Sequence, residues 1–419
     1  MAVKVIEKPF FTASLICIFI FYFCIGSSKL PSRNPFSSLL PKEKICRVRG
    51  ILISSPVKSQ SGKSYAAKMQ VQTVWTNNIS SQAKGNITLF IPSEMVEVYF
   101  PGKVYSKAAD KGAFFYEAGC QYDFSGFFLE SAFLVKSCRS AVWRKGLLGK
   151  FDYIRALSRL QFKRLMYSWK DGGGLLLALL SGSREYLEAD LYSDFRKAGL
   201  SHVIALSGMH LSMFSSIALF FGMRLGRRKI AFIIRLTALI IFVWFAGFSP
   251  SLLRAFICAM LLLFSAVCGE PSPDMLMVLS FSFLLQCIIS PSDLQNAGFI
   301  LSYTALLGIL LFSLYFKRLF IKILPFYIAS SMSASAGAQL FTAPLSLKFF
   351  GFYSPAGLFA TLIAAPLISL FIYSSLFLMI FTLIFPDLCR YSAFFVTIEY
   401  NLIKFVVRVF SYAPYWSIS

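Results

Sequence analysis

The sequence contains very little histidine and few acidic residues. Its 419 residues include 2 histidines and 19 Asp and Glu together, and only 14% of the residues are charged. Two histidines cannot supply the His-x-His-x-Asp-His cluster of a metal-dependent hydrolase, and the nine cysteines are not spaced as metal ligands. The composition therefore predicts no metal site and no cofactor, and it gives no basis for assigning an enzyme.

Long apolar runs are abundant instead. The chain is 57% hydrophobic and 17% aromatic, and its mean hydropathy is +0.67. The second half repeats apolar stretches of roughly 18 residues or more, which is the length that spans a bilayer. These features predict a mainly α polytopic membrane protein. The expected spans are 202–223, 230–247, 252–268, 274–290, 297–316, 325–347, 354–384 (either continuous or broken near Pro366) and 391–412.

The net charge is strongly positive, at +22 for pH 7. Lys and Arg concentrate on the cytoplasmic loops of membrane proteins, so the basic clusters at 224–229 and 317–322 predict two such loops. Residues 44–150 add 15 basic residues against 6 acidic ones. A basic soluble part indicates a polyanion or an anionic lipid surface as its partner.

The first 28 residues predict a membrane anchor. An apolar run over 9–26 follows Lys4 and Lys8. This run fits either a secretion signal or an uncleaved anchor, and its bulky aromatic residues favour the anchor because a cleavage site needs small residues. An outward-running anchor places the next domain outside the cytoplasm. The four basic residues that follow the run argue for the opposite sidedness, so the orientation stays open at this point.

Residues 44–139 predict a small all-β domain inserted before the helices. Apolar residues alternate with polar ones in several short runs that glycines separate. Four or five short strands in this length favour a barrel of the OB-fold type. Its aromatic residues would either stack nucleobases or form the barrel core. If the domain is extracytoplasmic, one disulfide is expected, between Cys120 and Cys138.

Residues 150–171 predict an amphipathic helix at the membrane interface. Three cations share one of its faces: Arg155, Arg159 and Lys163. Such a helix is expected to contact lipid phosphates, with nucleic acid as the second choice. Gly172–Gly174 are then expected to break the chain. The apolar run 175–180 is too short to span a membrane and predicts a half-helix that must be buried in protein.

Both histidines lie in one short stretch at the start of the first predicted span, Gly199-Leu-Ser-His-Val-Ile-Ala-Leu-Ser-Gly-Met-His210. An ionisable side chain at membrane depth usually faces protein, water or a ligand, so His202 and His210 are candidate functional residues. The same stretch adds Ser201, Ser207 and Gly208 to the candidate site. The alternative is that both imidazoles only bond carbonyls of neighbouring helices.

This stretch resembles the signature of the ComEC family of bacterial competence proteins, which is Gly-Leu-Ser-His-hydrophobic-hydrophobic-Ala-Ile-Ser-Gly-Leu-His. Further blocks of that family occur in the family's order over residues 177–357, and their ordered set is more specific than any single block. These blocks are Leu177-Ala-Leu-Leu-Ser-Gly-Ser-Arg184, Ser249-Pro-Ser-Leu-Leu-Arg254-Ala255, Ser290-Pro-Ser-Asp-Leu-Gln-Asn-Ala-Gly-Phe299-Ile-Leu-Ser302, Ser335-Ala-Gly-Ala-Gln339-Leu-Phe-Thr-Ala-Pro344 and Gly351-Phe-Tyr-Ser-Pro-Ala-Gly357.

The resemblance implies transport rather than catalysis. ComEC proteins are inner-membrane channels for single-stranded DNA in natural transformation, so it implies a multi-pass protein of the bacterial inner membrane that contacts single-stranded DNA and membrane lipids. A DNA receptor, a translocation ATPase and a separate nuclease are further partners that it implies. The expected channel residues of the competence-type domain, 172–419, are Ser201, His202, Ser207, Gly208, His210, Arg254, Ser302 and Gln339. The expected DNA-contacting residues on the barrel are Lys58, Lys63, Lys68, Lys103, Lys107 and Lys111.

The sequence departs from the family pattern in three places. Ile300 stands where the family's Phe-Gln-Leu-Ser block has a glutamine, and one anchor, rather than two, precedes the β domain. The sequence ends at Ser419 without the metallo-β-lactamase-like domain of larger members, so no strand-degrading nuclease is expected. Two residues also have simpler explanations. The Arg254 side chain would snorkel, extending its charge to the membrane interface, and Asp293 would cap a helix.

Two other functions fit parts of the sequence. An intramembrane serine protease would use Ser207 as nucleophile and His210 as base, because residues three apart on a helix share a face. A secondary transporter of a small anionic solute would use helices broken near Gly172–Gly174 and near Ser207. The β domain and the lack of an inverted repeat argue against the transporter.

Overall fold

The computed structural model describes residues 11–15, 18, 36–59, 62–76, 79–97, 116–129, 132–143, 145–184, 186–224, 228–247, 249–269, 273–385 and 388–417. The predicted anchor over 1–28 lies largely outside these residues. The described chain forms a β barrel followed by a bundle of helices.

Five strands of the amino-terminal part close into a ring. These strands are β2 (Arg47–Leu52), β4 (Ser64–Thr76), β6 (Asn86–Pro92), β7 (Cys120–Leu129) and β8 (Ala132–Trp143). Strand β4 pairs with β2 and β6, β2 pairs with β7, β7 pairs with β8, and β8 returns to β6. The β6–β8 pair is parallel and the other four are antiparallel. The predicted β-sheet domain is thus confirmed. In chain order the strands are β1 (Ser37–Ser38), β2 (Arg47–Leu52), β3 (Val57–Lys58), β4 (Ser64–Thr76), β5 (Ile79–Lys84), β6 (Asn86–Pro92), β7 (Cys120–Leu129) and β8 (Ala132–Trp143).

The barrel interior is filled by every second residue of its strands, as the alternation of the sequence predicts. On β4 the alternating buried residues are Tyr65, Ala67, Met69 and Val71. Several of the aromatic residues that were candidates for stacking bases are instead core, because Tyr122 and Phe124 are almost fully buried and their rings stack 5.4 Å apart. Within the described part of the barrel, the core explanation therefore applies to these aromatics.

The two candidate disulfide cysteines are free thiols. The strand register places Cys120 opposite Trp143 and Cys138 opposite Phe124, so the two cysteines do not face each other across β7 and β8. Sequence spacing could not reveal this register. Burial raises the pKa of the Cys120 thiol to about 11 and that of Cys138 to about 12, so both stay protonated at neutral pH.

The remainder of the described chain is helical, apart from one two-stranded ribbon. A short helix, α1 (Ser93–Glu97), belongs to the barrel region. The ribbon joins β9 (Phe352–Tyr353) to β10 (Trp416–Ser417). The helices after the barrel are α2 (Leu147–Ser168), α3 (Lys170–Ser181), α4 (Ala189–Lys197), α5 (Ser201–Ile204), α6 (Gly208–Arg224), α7 (Arg228–Ala246), α8 (Pro250–Val267), α9 (Met275–Ile289), α10 (Ala297–Phe320), α11 (Phe326–Phe350), α12 (Gly357–Ile384) and α13 (Cys389–Ser411).

Helices α6 to α13 correspond one by one to the eight predicted spans. By length and composition, four of the described helices can cross a membrane: Lys229–Ala246 within α7, together with α8, α10 and α12. Helix α12 is continuous through Pro366, so the alternative of a break there is wrong. Large apolar side chains are exposed along these helices, for example Phe377 on α12 and Phe405 on α13. An apolar outer surface of this extent suits lipid rather than water.

The three consecutive glycines do not break the chain as the sequence predicts. The bend lies before them, at Trp169 and Lys170, and the glycines belong to α3. They are required by close packing: a Cβ on Gly173 would lie 1.9 Å from the Met166 carbonyl oxygen, and one on Gly174 2.2 Å from that of Tyr186. Helix α3 is a 12-residue helix whose apolar run 175–180 is completely buried, in agreement with the predicted half-helix.

Candidate functional site

The candidate site lies where the histidine stretch leaves the helical conformation. Helix α5 ends at Ile204, Ala205 is extended with φ −68° and ψ 134°, and α6 begins at Gly208. The sequence predicts one helix for both histidines. The structure instead places them in two helices, one on either side of this break. His202 is exposed on α5, whereas His210 is fully buried in the first turn of α6.

The His210 imidazole caps the start of α6. Its Nδ1 accepts a hydrogen bond from the Ser207 backbone N–H at 3.2 Å and lies 3.3 Å from the Ser207 hydroxyl. An N–H group at a helix start has no partner within the helix, so a side-chain acceptor here stabilises the break. The other nitrogen, Nε2, is buried without a hydrogen bond to any described residue.

Arg254 places a guanidinium against the same break. It lies in the first turns of α8, which begins with the capping residue Ser249 followed by proline. Its Nη1 donates to the Ser302 carbonyl on α10 at 2.9 Å, and its Nη2 lies 3.4 Å from the point that a Cβ on Gly208 would occupy. The Nε is buried and makes no hydrogen bond with the residues that the structure describes. Because Arg254 bridges α6 and α10, the snorkelling alternative does not describe it.

The unwound backbone has a further partner on α8. The Ser251 hydroxyl donates to the Leu206 carbonyl at 2.8 Å. Buried carbonyls outside helices need such partners, because an unpaired backbone group away from water costs the free energy of a lost hydrogen bond. The start of α8 therefore supplies both a donor to the break and the cation beside it.

The segment before the break packs on the last two competence-like blocks. A Cβ on Gly199 would lie 2.9 Å from the Gly357 Cα, and φ of Gly199 is 74°, so this contact needs glycine. Close by, the Tyr353 hydroxyl donates to Gln339 Oε1 at 2.8 Å. The Gln339 Nε2 lies 3.4 Å from the Cβ position of Gly357. Gln339 thus supports the packing of Gly357 against Gly199.

A buried polar network that sequence reasoning missed supports the start of α8. Gln286 of α9 donates to the Pro250 carbonyl and to Asp293 Oδ2, both at 3.1 Å, and accepts from the Tyr303 hydroxyl at 3.1 Å. Asp293 therefore binds Gln286, and Asn296 caps α10 instead. Gln286 lies inside an apolar span, and a buried amide needs hydrogen-bond partners. This residue was therefore the sequence feature that predicts such a network.

The predicted barrel lysines differ in their surroundings. Lys58 is paired with Glu97 at 2.8 Å. Lys63 and Lys68 are exposed, and neither makes an ion pair within the described residues. The other three predicted lysines, Lys103, Lys107 and Lys111, lie outside the described residues. Of the predicted lysines that the structure describes, Lys58 is thus neutralised by Glu97, whereas Lys63 and Lys68 present exposed positive charges.

Two arginines on β2 form a cluster that the sequence analysis did not single out. The guanidiniums of Arg47 and Arg49 both bind the buried Asp123 carboxylate, Arg49 at 2.7 Å. They also lie 4.4 Å and 5.1 Å from the ring centre of Trp75. Burial raises the pKa of Asp123, but the two guanidiniums outweigh it and keep the pKa below its usual value. Residues two apart on a strand lie on the same face of the sheet. The spacing of Arg47 and Arg49 was therefore the sequence feature that predicts this cluster.

Helix α2 binds the barrel through its cationic face. Arg159 and Lys163 are buried and lie 3.3 Å from the Glu117 carboxylate, which the Ser55 hydroxyl also contacts. Arg159 also donates to the Phe245 carbonyl of α7 at 2.9 Å. The expectation that these two cations contact lipid phosphates is therefore wrong. Helix periodicity gives the shared face but not the partner that covers it.

Comparisons with known proteins place the chain in a family. The sequence profile of the family described as Competence protein matches residues 179–418. The chain belongs to this competence family.

It is 30% identical over 186 residues to ComE operon protein 3 of Bacillus subtilis, covering 44% of this chain and 23% of that protein. It is 28% identical over 225 residues to Recombination protein 2 of Haemophilus influenzae, covering 50% and 28%. The chain thus spans about a quarter of each relative's length, and no solved structure matches it significantly.

Several polar side chains of the competence segment lie together at the helix break. Ser207, His210, Arg254 and the Ser302 carbonyl meet around the break, while Ser201 and His202 lie on its exposed side. The observed role of the Ser207–His210 contact is that of a helix cap, because Nδ1 accepts the Ser207 backbone N–H.

Proposed function

We propose that this chain forms an inner-membrane channel through which single-stranded DNA enters the cell during natural transformation. The observation that supports this proposal most is the helix break at Ala205–Ser207. Separate blocks of the competence segment converge on it, and the half-buried Arg254 guanidinium lies at its side. Irregular backbone at membrane depth is tolerated where it is buried in protein or lines a water-filled cavity, and such a cavity is what a DNA strand requires.

The chemistry of the break suits a phosphate backbone. Each nucleotide of a single strand has one negative charge, and helix amino termini attract anions because their N–H groups and dipole point outward. The start of α6 presents such a terminus next to the Arg254 guanidinium. Arg254 would contact successive phosphates without reading bases, so that any sequence passes. His210 would keep the break open by capping Ser207.

The barrel would receive the strand before it reaches the break. Its ring order and single parallel pair fit the OB-fold type, which binds oligonucleotides on a face of the barrel and its adjoining loops. Exposed Lys63 and Lys68 would attract phosphates, and Trp75 with its two arginines would offer a flat, cationic surface. A DNA receptor, a translocation ATPase and a nuclease would then be separate proteins.

The site is tested by DNA uptake in a transformable strain whose own channel gene is replaced by this chain. Arg254→Gln is expected to lower the arrival of labelled DNA in the cytoplasm by about tenfold, because one charge-assisted contact to the strand is lost. DNA bound at the cell surface should not change.

Arg224→Gln is the matched control, because Arg224 is an exposed cation at the other end of α6. It is expected to leave uptake unchanged. The site assignment is wrong if Arg254→Gln and His210→Gln both pass DNA normally at unchanged protein levels.

A further inference from the structure

An apolar cavity of about 610 Å³ lies between the helices, away from the break. Its volume falls within the range of roughly 300–1,000 Å³ that small-molecule sites occupy. Helices α2, α3, α6, α7 and α12 line it, and polar side chains are confined to its α2 wall, at Ser158 and Gln161. The lining includes Phe162, Leu165, Phe214, Ala238, Phe242 and Leu376.

The cavity opens toward the apolar exterior of the bundle. Two of its lining residues, Ile241 on α7 and Leu383 on α12, are 55% and 39% exposed. In the proposed membrane setting these residues contact lipid tails, so an occupant enters from the bilayer. The barrel end of α7 adjoins the cavity, since Arg159 binds the Phe245 carbonyl there while it pairs with Glu117.

A cation stands one helical turn from the polar wall. Arg155 precedes Ser158 by three residues on α2, and Phe162 and Leu165 continue the same face into the cavity. The Arg155 Nη2 lies 2.9 Å from the Cβ position of Gly247, just beyond the end of α7, and its Nε is buried without a hydrogen bond to the described part of the chain.

The charges around Arg155 leave a positive excess. On α2 the cations Arg155, Arg159 and Lys163 stand against the carboxylates of Asp152 and Glu117. Glu117 is already engaged by Arg159 and Lys163. An anionic group beside Arg155 would therefore neutralise this excess of positive charge. An apolar tail attached to that group would reach the cavity.

We propose that this cavity binds one acyl chain of a membrane phospholipid whose phosphate contacts Arg155. The apolar lining selects a hydrocarbon tail and Arg155, one helical turn beyond the polar wall, selects an anionic head, which together describe a phospholipid. The bound lipid would fill the seam between α2, on which the barrel rests, and the membrane helices α7 and α12. This inference depends on the proposed membrane insertion but not on the passage of DNA.

The test uses the full chain reconstituted in phosphatidylethanolamine and phosphatidylglycerol vesicles without DNA. A phosphatidylglycerol with a photoreactive group at the end of one acyl chain is irradiated, and the labelled residues are mapped by mass spectrometry. Labelling is expected to concentrate on the cavity lining. Ala238→Trp, which fills the cavity, should lower that labelling by about fivefold, while the exposed control Ile240→Trp on the same helix should not.

The head group is tested separately with a diacylglycerol that has the same photoreactive tail and no phosphate. Arg155→Gln should lower cavity labelling by the phospholipid about threefold and leave that by diacylglycerol unchanged. Lys150→Gln, an exposed cation on the same helix, should change neither. Inorganic phosphate added alone should not compete.

The proposal is overturned if labelling spreads evenly over the lipid-facing helices, or if Ala238→Trp and Ile240→Trp behave alike. Should Ala238→Trp not fold, Leu383→Trp at the cavity mouth replaces it with the same expectation. A chain that binds lipid here but fails to pass DNA refutes only the channel. A chain that passes DNA without cavity labelling refutes only the lipid site.

Discussion

Glu117 is the side chain on which the contact between the barrel and the helices depends most. It is 4% exposed, and two cations of α2 surround it. Removing one partner of a buried ion pair leaves an uncompensated charge, which costs far more than losing a surface pair. The barrel should therefore stay docked on α2 only while this carboxylate is present and ionised.

Glu117→Gln is expected to destabilise the full chain by roughly 3–5 kcal/mol, because Arg159 and Lys163 remain buried without an anion. The measurement is the thermal unfolding midpoint of the detergent-solubilised chain. Glu97→Gln is the control, since the Glu97–Lys58 pair is partly exposed and worth at most about 1 kcal/mol. Equal midpoints for the two variants would contradict this role of Glu117.

The same residue predicts a pH dependence. Burial alone raises the pKa of the Glu117 carboxyl, but the charges of Arg159 and Lys163 and the Ser55 hydroxyl lower it to about 2. A carboxyl with a depressed pKa stabilises the fold fully above its unfolded value of about 4.3, and this contribution is lost as the pH falls toward 2.

The unfolding midpoint of the wild-type chain should thus fall between about pH 4.5 and pH 2 by more than that of Glu117→Gln. The difference between the two proteins should shrink steadily over this interval. A constant difference from pH 7 to pH 2 would show that Glu117 does not titrate in this range.

At the scale of elements, α3 and its three glycines determine how α2 meets the bundle. The bend between α2 and α3 brings the backbone of Gly173 against the Met166 carbonyl, where no side chain fits. Gly173→Ala should therefore cost roughly 1–3 kcal/mol or more by forcing the two helices apart. Gly298→Ala is a mild control, because its Cβ would meet only the Asn296 side chain at 3.1 Å.

The yield of folded chain after purification and its unfolding midpoint measure this effect. Gly173→Ala should lower both relative to Gly298→Ala. If the two variants are equally stable, the close approach at Gly173 does not determine the bend.

Hydropathy and alternation were sufficient to predict the elements themselves. The barrel strands, the buried half-helix and the eight carboxy-terminal helices follow from periods of apolar residues, because each element must bury one face. The ends and breaks were harder. The glycines at 172–174 mark close packing rather than a break, while the real break at Ala205–Ser207 contains no proline. The local cap of His210 on Ser207 and the tertiary contact from Ser251 of α8 stabilise it.

The candidate site was predictable in part. The structure brings His210 and Arg254 to the same helix break, and their role as channel residues stays a prediction. The partners were not predictable: Glu117 for Arg159, Asp123 for Arg47, and the Pro250 carbonyl for Gln286 join residues far apart in sequence. Such pairs depend on how elements pack, which composition and spacing do not encode.

At the scale of the whole molecule, a basic barrel precedes a bundle with an apolar exterior. If the barrel receives DNA, the full chain should bind a fluorescent single-stranded oligonucleotide with an affinity that falls steeply as salt rises, by about 0.7 logarithmic units per contacted phosphate for each tenfold increase in salt. Replacing exposed Lys63 and Lys68 together by Gln should reduce this slope.

Lys58→Gln provides the comparison, because Glu97 already neutralises Lys58. It should alter the slope much less than the double variant does. Salt-independent binding, or no binding at low salt, would contradict the proposed role of the barrel.

The most direct test of the channel is whether transiting DNA touches the break. A photoreactive amino acid replaces Ser207, which lies half-buried at the break, or Phe220, which is 57% exposed on the apolar surface of α6. Cells are irradiated while they take up radiolabelled DNA. We expect covalent DNA–protein products from position 207 and none from position 220. Products from neither position during active uptake, or equal products from both, would contradict passage of the strand through the break.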